Sequence, residues 1–399
     1  MLTASIGFPQ VRYRPTENGP WRPWQFTAVA SARQSRNATA VEVQAWQAQL
    51  QELGAIVRRA PAVSQPVGFA AELWGSLDGY GTPAKGEPAA SKIPLAGSLS
   101  FAAFPLIEFM RNGKLMNEDL KGGETETLQF VVNRIDRGMF RQSMPIEWGG
   151  EDAVGFTQPK SGELLAGTLM RIDDVFALIS SRNSGRPLWV PLTLEEAIAP
   201  VLTQRRRIFE SRRDNYAKQQ REFVEWLTPQ KRAERRAGWE RAAAAIGADR
   251  GPAFLANMAK SDADVESITR AQLAPGGSEE RSVQEAERDM REAEGVLTPP
   301  AAARAAPACY DKSARGLAAR FRALAGAPPT CEPLVKTNWA FFDTTRPRSA
   351  PQILLLSHFG RCLTKESTSR GDALRGGCAI NRQLVESMDW TAVRAWMDR

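Results

Sequence analysis

The chain has 399 residues, 43% of them hydrophobic and 24% charged, an ordinary globular composition with room for one large domain or two. Its net charge of +7 and pI of about 9.4 suit an anionic partner, although abundant arginine and alanine are also what GC-rich coding produces. No apolar run approaches the ~20 residues that cross a bilayer, and the single histidine, His358, excludes an HExxH zinc site, a multi-histidine metal centre and a facial triad.

Residues 1–38 are rich in Pro, Trp and Arg and show little periodicity. Trp21 and Trp24, flanked by prolines in PWRPWQF, are candidates for an exposed binding patch. From residue 40 to 59 an amphipathic helix is predicted. Val41, Val43, Trp46, Leu50, Leu53 and Ile56 recur mostly at three- and four-residue steps, Arg58-Arg59 favour its C-terminal end, and Pro61 stops it. Residues 66–190 read as short strands. Gly68–Leu77 is one; the alternation of Leu95, Gly97, Leu99, Phe101 and Ala103 gives another, continued past Pro105 to Met110. Asn112-Gly113 signals a hairpin. Thr127–Ile135, Leu164–Ile172, Val175–Ser180 and Leu188–Val190 follow, with turns at Asp173-Asp174 and Asn183-Ser184-Gly185. Together they imply an antiparallel sheet.

At Thr193 the period changes. Thr193 and Glu196 have capping-box spacing, and Leu202, Phe209, Tyr216 and Phe223 then recur every seven residues. That stripe is one residue wide, so the helix should be long and largely exposed. Arg205, Arg206, Arg207, Arg212 and Arg213 make it basic. Downstream, Val283, Ala286, Met290, Ala293 and Leu297 step by three and four on an acidic segment. Residues 193–246 and 278–297 are therefore expected to pack antiparallel as a helical arm, joined by two short helices over 251–273. After a Pro/Ala-rich linker, a short helix is expected around Ala314–Leu324 and strands at Trp339–Phe342 and Gln352–Ser357, the latter rejoining the sheet. Leu384–Met397 reads as helical.

The fold expected is α+β: an antiparallel β-sheet core, a long helical-hairpin insertion and a disulfide-tied C-terminal region. The boundaries are an irregular segment 1–38, a core of 39–192 and 335–399, an arm of 193–298, and a linker with the first cysteine loop over 299–334.

All four cysteines, Cys309, Cys331, Cys362 and Cys378, lie in the last quarter, spaced by 22, 31 and 16 residues. Zinc knuckles and dithiol redox sites need sulfurs two or three residues apart. The spacing suits two disulfides, most simply Cys309–Cys331 and Cys362–Cys378, with four buried thiols as the alternative. Disulfides persist in oxidising compartments, so an extracytoplasmic (periplasmic or secreted) location is expected. The opening MLTASIGFPQVRYR has neither a basic n-region nor an apolar h-region, so this reading supposes that a signal peptide is missing upstream of Met1.

Among groups that could carry chemistry, Trp148 beside Glu151 and Asp152 in a glycine-rich loop could bind a sugar or supply paired carboxylates for glycoside hydrolysis, though such loops are usually turns. The arginines of the arm, with Phe209, Tyr216 and Trp226, could track a phosphate backbone or anionic surface; alternatively the acidic helix neutralises them. His358, closing the run Ile353–Ser357, reads more simply as a strand-end histidine than as a catalytic base. No GxSxG, SxxK or Walker loop occurs, and no metal or cofactor is expected.

The segments ETETLQFVVN (Glu124–Asn133), PLWVPLTLEEAI (Pro187–Ile198) and RPRSAPQILLL (Arg346–Leu356), with the Asp389-Trp390 pair opening the last helix, resemble uncharacterised secreted or periplasmic bacterial proteins. The resemblance implies a location and an architecture and carries no activity. The function expected is an extracytoplasmic binding or structural protein with a protein or glycan ligand and a homodimer through the arm as a candidate assembly. A hydrolase of envelope polymers and a binder of nucleic acid or anionic surfaces are the alternatives.

Overall fold

The computed structural model describes residues 12–28, 37–78, 88–89, 92–111, 114–119, 127–135, 155–165, 168–173, 175–357 and 377–399. The chain divides into two units. The first comprises residues 1–143, 158–190 and 335–399; the second comprises 144–157 and 191–334. The fold is α+β.

In chain order the elements are β1 (Arg12–Tyr13), β2 (Gln25–Ala28), α1 (Ala40–Arg59), α2 (Pro61–Ser64), β3 (Phe69–Leu77), β4 (Gly97–Arg111), β5 (Lys114–Asp119), β6 (Leu128–Val132), β7 (Ser161–Leu165), β8 (Leu169–Ile172) and β9 (Val175–Ile179). The second unit contributes α3 (Leu194–Trp226), α4 (Pro229–Ile246), α5 (Gly251–Leu273), α6 (Ser278–Gly295), β10 (Ala308–Asp311) and β11 (Phe321–Ala323). Strand β12 (Cys331–Thr337) leads back to the first unit, which ends with β13 (Ile353–Ser357), α7 (Gly377–Ser387) and α8 (Trp390–Asp398).

The first unit is built on one sheet with the order β2-β3-β4-β6-β13-β9-β8-β7; β1 and β5 also pair with β4. Only β2 and β3 run parallel among these pairings. Alternation in β3 sends Phe69, Ala71, Leu73 and Leu77 into a core shared with α1, α7 and α8, where Trp46, Phe101, Phe130 and Trp396 are all buried. Pro105, within the 15-residue β4, sits beyond the last β6 pairing (Phe101↔Leu128) and before the first β5 pairing (Leu106↔Asp119). Its missing N–H therefore falls where the strand changes partners. Gly97 is dictated by space: a Cβ there would lie 2.0 Å from the Ser76 carbonyl oxygen, which accepts the Trp46 indole N–H at 3.1 Å.

Several expectations are corrected. Leu164–Ile172 is two strands, β7 and β8, paired as a hairpin. Trp339–Phe341 is a 3-10 turn rather than a strand, because the Asn338 side chain accepts the Ala340 N–H and closes the backbone locally. Trp21 and Trp24 form no exposed patch. Both are half-buried and packed on the core; the Trp21 indole donates to Val63 O at 3.0 Å, and its ring lies 6.1 Å from Phe101. Replacing Trp21 with Ala is expected to lower the stability of this unit by about 3 kcal/mol, read from urea denaturation. An unchanged midpoint would return Trp21 to the status of a surface residue.

In the second unit Thr193 caps α3, its side chain accepting the Glu196 N–H while Glu196 reaches back to the Thr193 N–H. Helix α3 has 33 residues, about 50 Å at 1.5 Å per residue. Only its first turns are fully buried, through Leu194, Ala197, Ile198, Val201 and Leu202. Beyond them Phe209, Tyr216 and Phe223 are half-buried. Helix α6 lies antiparallel along α3: Arg205 meets Asp289 at 3.0 Å, and Arg212 donates to Ser282 O at 3.0 Å. Helices α4 and α5 pair likewise through Arg232–Glu266 and Arg235–Asp262. Residues 251–273, expected as two short helices, form the single α5, because nothing between Pro252 at its start and Leu273 interrupts the i, i+4 ladder. Of the expected Ala314–Leu324 helix only Leu317–Arg320 is helical, and Phe321 turns into β11 against β10. A disulfide joins Cys309 and Cys331.

Candidate functional site

In the first unit, the segment between β12 and β13 borders a cavity of about 340 Å³ lined by Lys92, Pro94, Asp343, Thr344, Arg346, Arg348 and Gln352. Its floor is built by local hydrogen bonding. The Asp343 carboxylate accepts from Thr345 Oγ1 at 2.6 Å and Thr345 N at 3.0 Å, and these bonds hold its pKa below the usual carboxylate value. Gln352, 1% exposed, ties both ends of the segment together. Its Oε1 accepts from Asp343 N at 2.7 Å and from Asn183 Nδ2 at 2.9 Å, and its Nε2 donates to Asp343 O at 3.1 Å.

Arg346 is the unusual member. It is 8% exposed, and its Nη2 donates to the main-chain oxygens of Met397 at 2.7 Å and Arg399 at 3.0 Å. Nε and Nη1 are buried without a hydrogen-bond partner. Burial, joined by repulsion from Arg182, lowers its pKa, and the attraction of Asp343 and Asp398 does not offset this. Arg348 is neutralised: its Nη1 lies 3.0 Å from Glu42 Oε1, and its Nε donates to Ile93 O at 3.0 Å. Lys92 is exposed.

Helix α8, which holds Arg346 through its last carbonyls, is itself anchored. Asp398 accepts from Ser180 Oγ at 2.6 Å, Ser181 N at 2.8 Å and Ser181 Oγ at 2.7 Å. Burial pushes the Asp398 pKa up, but these bonds overcome it and hold the group below its ordinary value. A carboxyl depressed in the folded state stabilises above its unfolded pKa, near 4, and loses that contribution as pH falls through the folded value. Asp398→Asn is therefore expected to flatten the loss of stability below about pH 4 in urea titrations. A slope identical to that of the unchanged protein would contradict the anchor.

The other candidate residues are dispersed or lie elsewhere. Trp148, Glu151, Asp152 and His358 lie outside the described residues, as does Cys362. Cys378 is disulfide-bonded. On α3, Arg205 pairs with Asp289, Arg206 with Glu294 at 2.8 Å, and Arg213 with Asp214 at 3.1 Å; Arg207 lies on the same helix. The acidic α6 takes up part of this charge, so Arg205 and Arg206 do not stand as free cations on a solvent stripe. Among the described residues no group of three His, Cys, Asp or Glu side chains is placed to hold a metal ion, and no helix is long and apolar enough to cross a membrane.

The sequence reading passed over Arg346. Its signal was Arg346-Pro347-Arg348 just before an apolar strand, two cations set where the chain is about to enter the core. Comparison with family models, with curated proteins and with solved structures returns no match.

Proposed function

We propose that the chain works outside the cytoplasm as a binding protein rather than as a catalyst, with its ligand site on the first unit. The Cys309–Cys331 disulfide carries the location: such links form and persist where the surroundings are oxidising. Supporting it, Cys378 is disulfide-bonded as well. The binding role is supported by the cavity beside Arg346, which gathers charged and polar side chains around a space of small-molecule size.

Counting thiols in protein taken from its native compartment, denatured without reductant, tests the location. No reactive sulfhydryl is expected. Four per chain, matching the four cysteines of the sequence, would overturn it.

A further inference from the structure

We infer that the far end of the helical arm, α4 with α5, opens and closes as one local unit while the base of the arm stays shut, and that Arg235 is the catch that holds it closed. This is a property of the second unit alone and depends neither on the binding role nor on the location proposed above.

Burial is unequal along the arm. At its base α3 and α6 meet in an apolar cluster that includes Ile198, Val201 and Ala293. Neither α4 nor α5 contributes to that cluster. Across their 18 and 23 residues these two helices fully bury only Ala243, Gly251 and Leu273. Trp239, Leu255 and Met258 are half-buried, and Val265 and Ile268 are 48% and 58% exposed. Few buried apolar contacts mark the part of a fold that opens first. Single helices of this length are marginal in water, so parting α4 from α5 releases the backbone hydrogen bonds of both together.

The limits of the opening unit are sharp. Pro229 has no N–H with which to carry the ladder of α3 into α4. After α5, Gly276 holds a φ of 74°, and a Cβ on Gly277 would lie 2.2 Å from Gln272 O. Opening therefore stops short of the α3 base and of α6.

What holds α4 and α5 shut is mainly polar, and it converges on one side chain. Arg235 Nη1 donates to Trp226 O at 2.7 Å, its guanidinium lies 3.9 Å from the centre of the Trp226 ring, and its Nε is 3.1 Å from Asp262 Oδ1. Arg235 thus ties the end of α3 to α4 and α5 at once. Arg232–Glu266 at 3.0 Å is a second tie. Lys231–Glu234 and Arg236–Glu240 lie within α4 and hold nothing to α5. Release of the catch bares Trp226 and the face of α5 around Leu255 and Met258, a surface that the closed arm half covers.

Amide hydrogen exchange of the full chain, resolved by peptide, tests this. Residues 229–273 are expected to exchange at least about a hundredfold faster than 197–202. Arg235→Gln should speed α4 and α5 by one common factor, about tenfold or more, and leave 197–202 unchanged. Arg213→Gln, whose partner Asp214 is its neighbour on α3, should alter neither region. If Arg235→Gln does not fold, a salt series on the unchanged chain decides: exchange over 229–273 should rise at least about twofold between roughly 0.05 and 0.5 M NaCl, with 197–202 steady. The inference is overturned by equal protection of 229–273 and 197–202, by acceleration confined to α4, by acceleration that reaches 197–202 equally, or by the same response to Arg213→Gln.

Discussion

Asn133→Ala is expected to cost about 5 kcal/mol and to leave the first unit largely unfolded at 37 °C. Asn133 directly follows β6, is fully buried, and holds a left-handed φ of 56°. Its Nδ2 donates to Leu95 O at 3.0 Å and Ala350 O at 2.9 Å, and its Oδ1 accepts from Gln352 N at 2.7 Å. One side chain thus satisfies three backbone groups on two segments, at Leu95 and over Ala350–Gln352. Truncation leaves those groups dry and unpaired, at roughly 1–3 kcal/mol each, and adds about 1 kcal/mol for placing alanine in the left-handed region. Against a total stability of about 5–15 kcal/mol that is a severe loss. Asn133→Gly removes the same hydrogen bonds but relieves the backbone, and should lose about 1 kcal/mol less than the alanine variant. Urea denaturation of the pair separates the two contributions. Should both variants unfold within about 1 kcal/mol of the unchanged protein, the hub assigned to Asn133 does not exist.

Replacing both Cys309 and Cys331 with Ala should destabilise the second unit by about 3 kcal/mol. The bond joins neighbouring strands, β10 and the start of β12, with Cα atoms 5.4 Å apart, and closes a loop between positions 22 residues apart. Within that loop lie β11 and the short helix Leu317–Arg320. Cross-linking narrows the unfolded ensemble, and the chain-entropy model for this loop length gives the figure above. Both sulfurs are also buried, so the alanine variant loses packing in addition. Reducing the unchanged protein should reproduce most of the shift. Proteolysis at rising temperature, scored within residues 191–334, reads it directly. A shift below about 0.5 kcal/mol in both experiments would mean that the strands themselves already hold the loop.

How legible all this was from sequence depended on how local the determining contacts are. Helix α1 could be placed by its apolar periodicity and Pro61, and the start of α3 by the Thr193/Glu196 cap, because these determinants are local; the Thr39/Glu42 cap of α1 went unread. The antiparallel course of α3 and α6 followed from complementary charge, since the basic and acidic stretches of one chain fit together in only a few ways. Leu164–Ile172 misled because Ala166-Gly167 sits inside an apolar run that reads as continuous. Trp339–Phe342 misled because aromatic content suggested a strand, whereas one Asn338 side chain bends the backbone. Nor could spacing show that Trp21 lies over the core, for its acceptor, Val63 O, is 42 positions away. Arg346 was hidden for the same reason: its environment is set by α8, by Gln352 and by a cavity wall at Lys92, groups spread across some 300 positions that no window brings together.

The place of β13 in the sheet has a consequence for biosynthesis. It runs between β6 and β9 and so bridges two halves made far earlier, yet it is translated only at residues 353–357. Until it emerges, the strands on either side have unfilled edges and cannot be zipped into one sheet, while residues 191–334 have all their own strand and helix partners in hand. Maturation therefore runs from the inserted segment outward to its host. On the extracytoplasmic reading proposed above, such a late keystone would keep the chain pliable while it crosses a membrane as a thread.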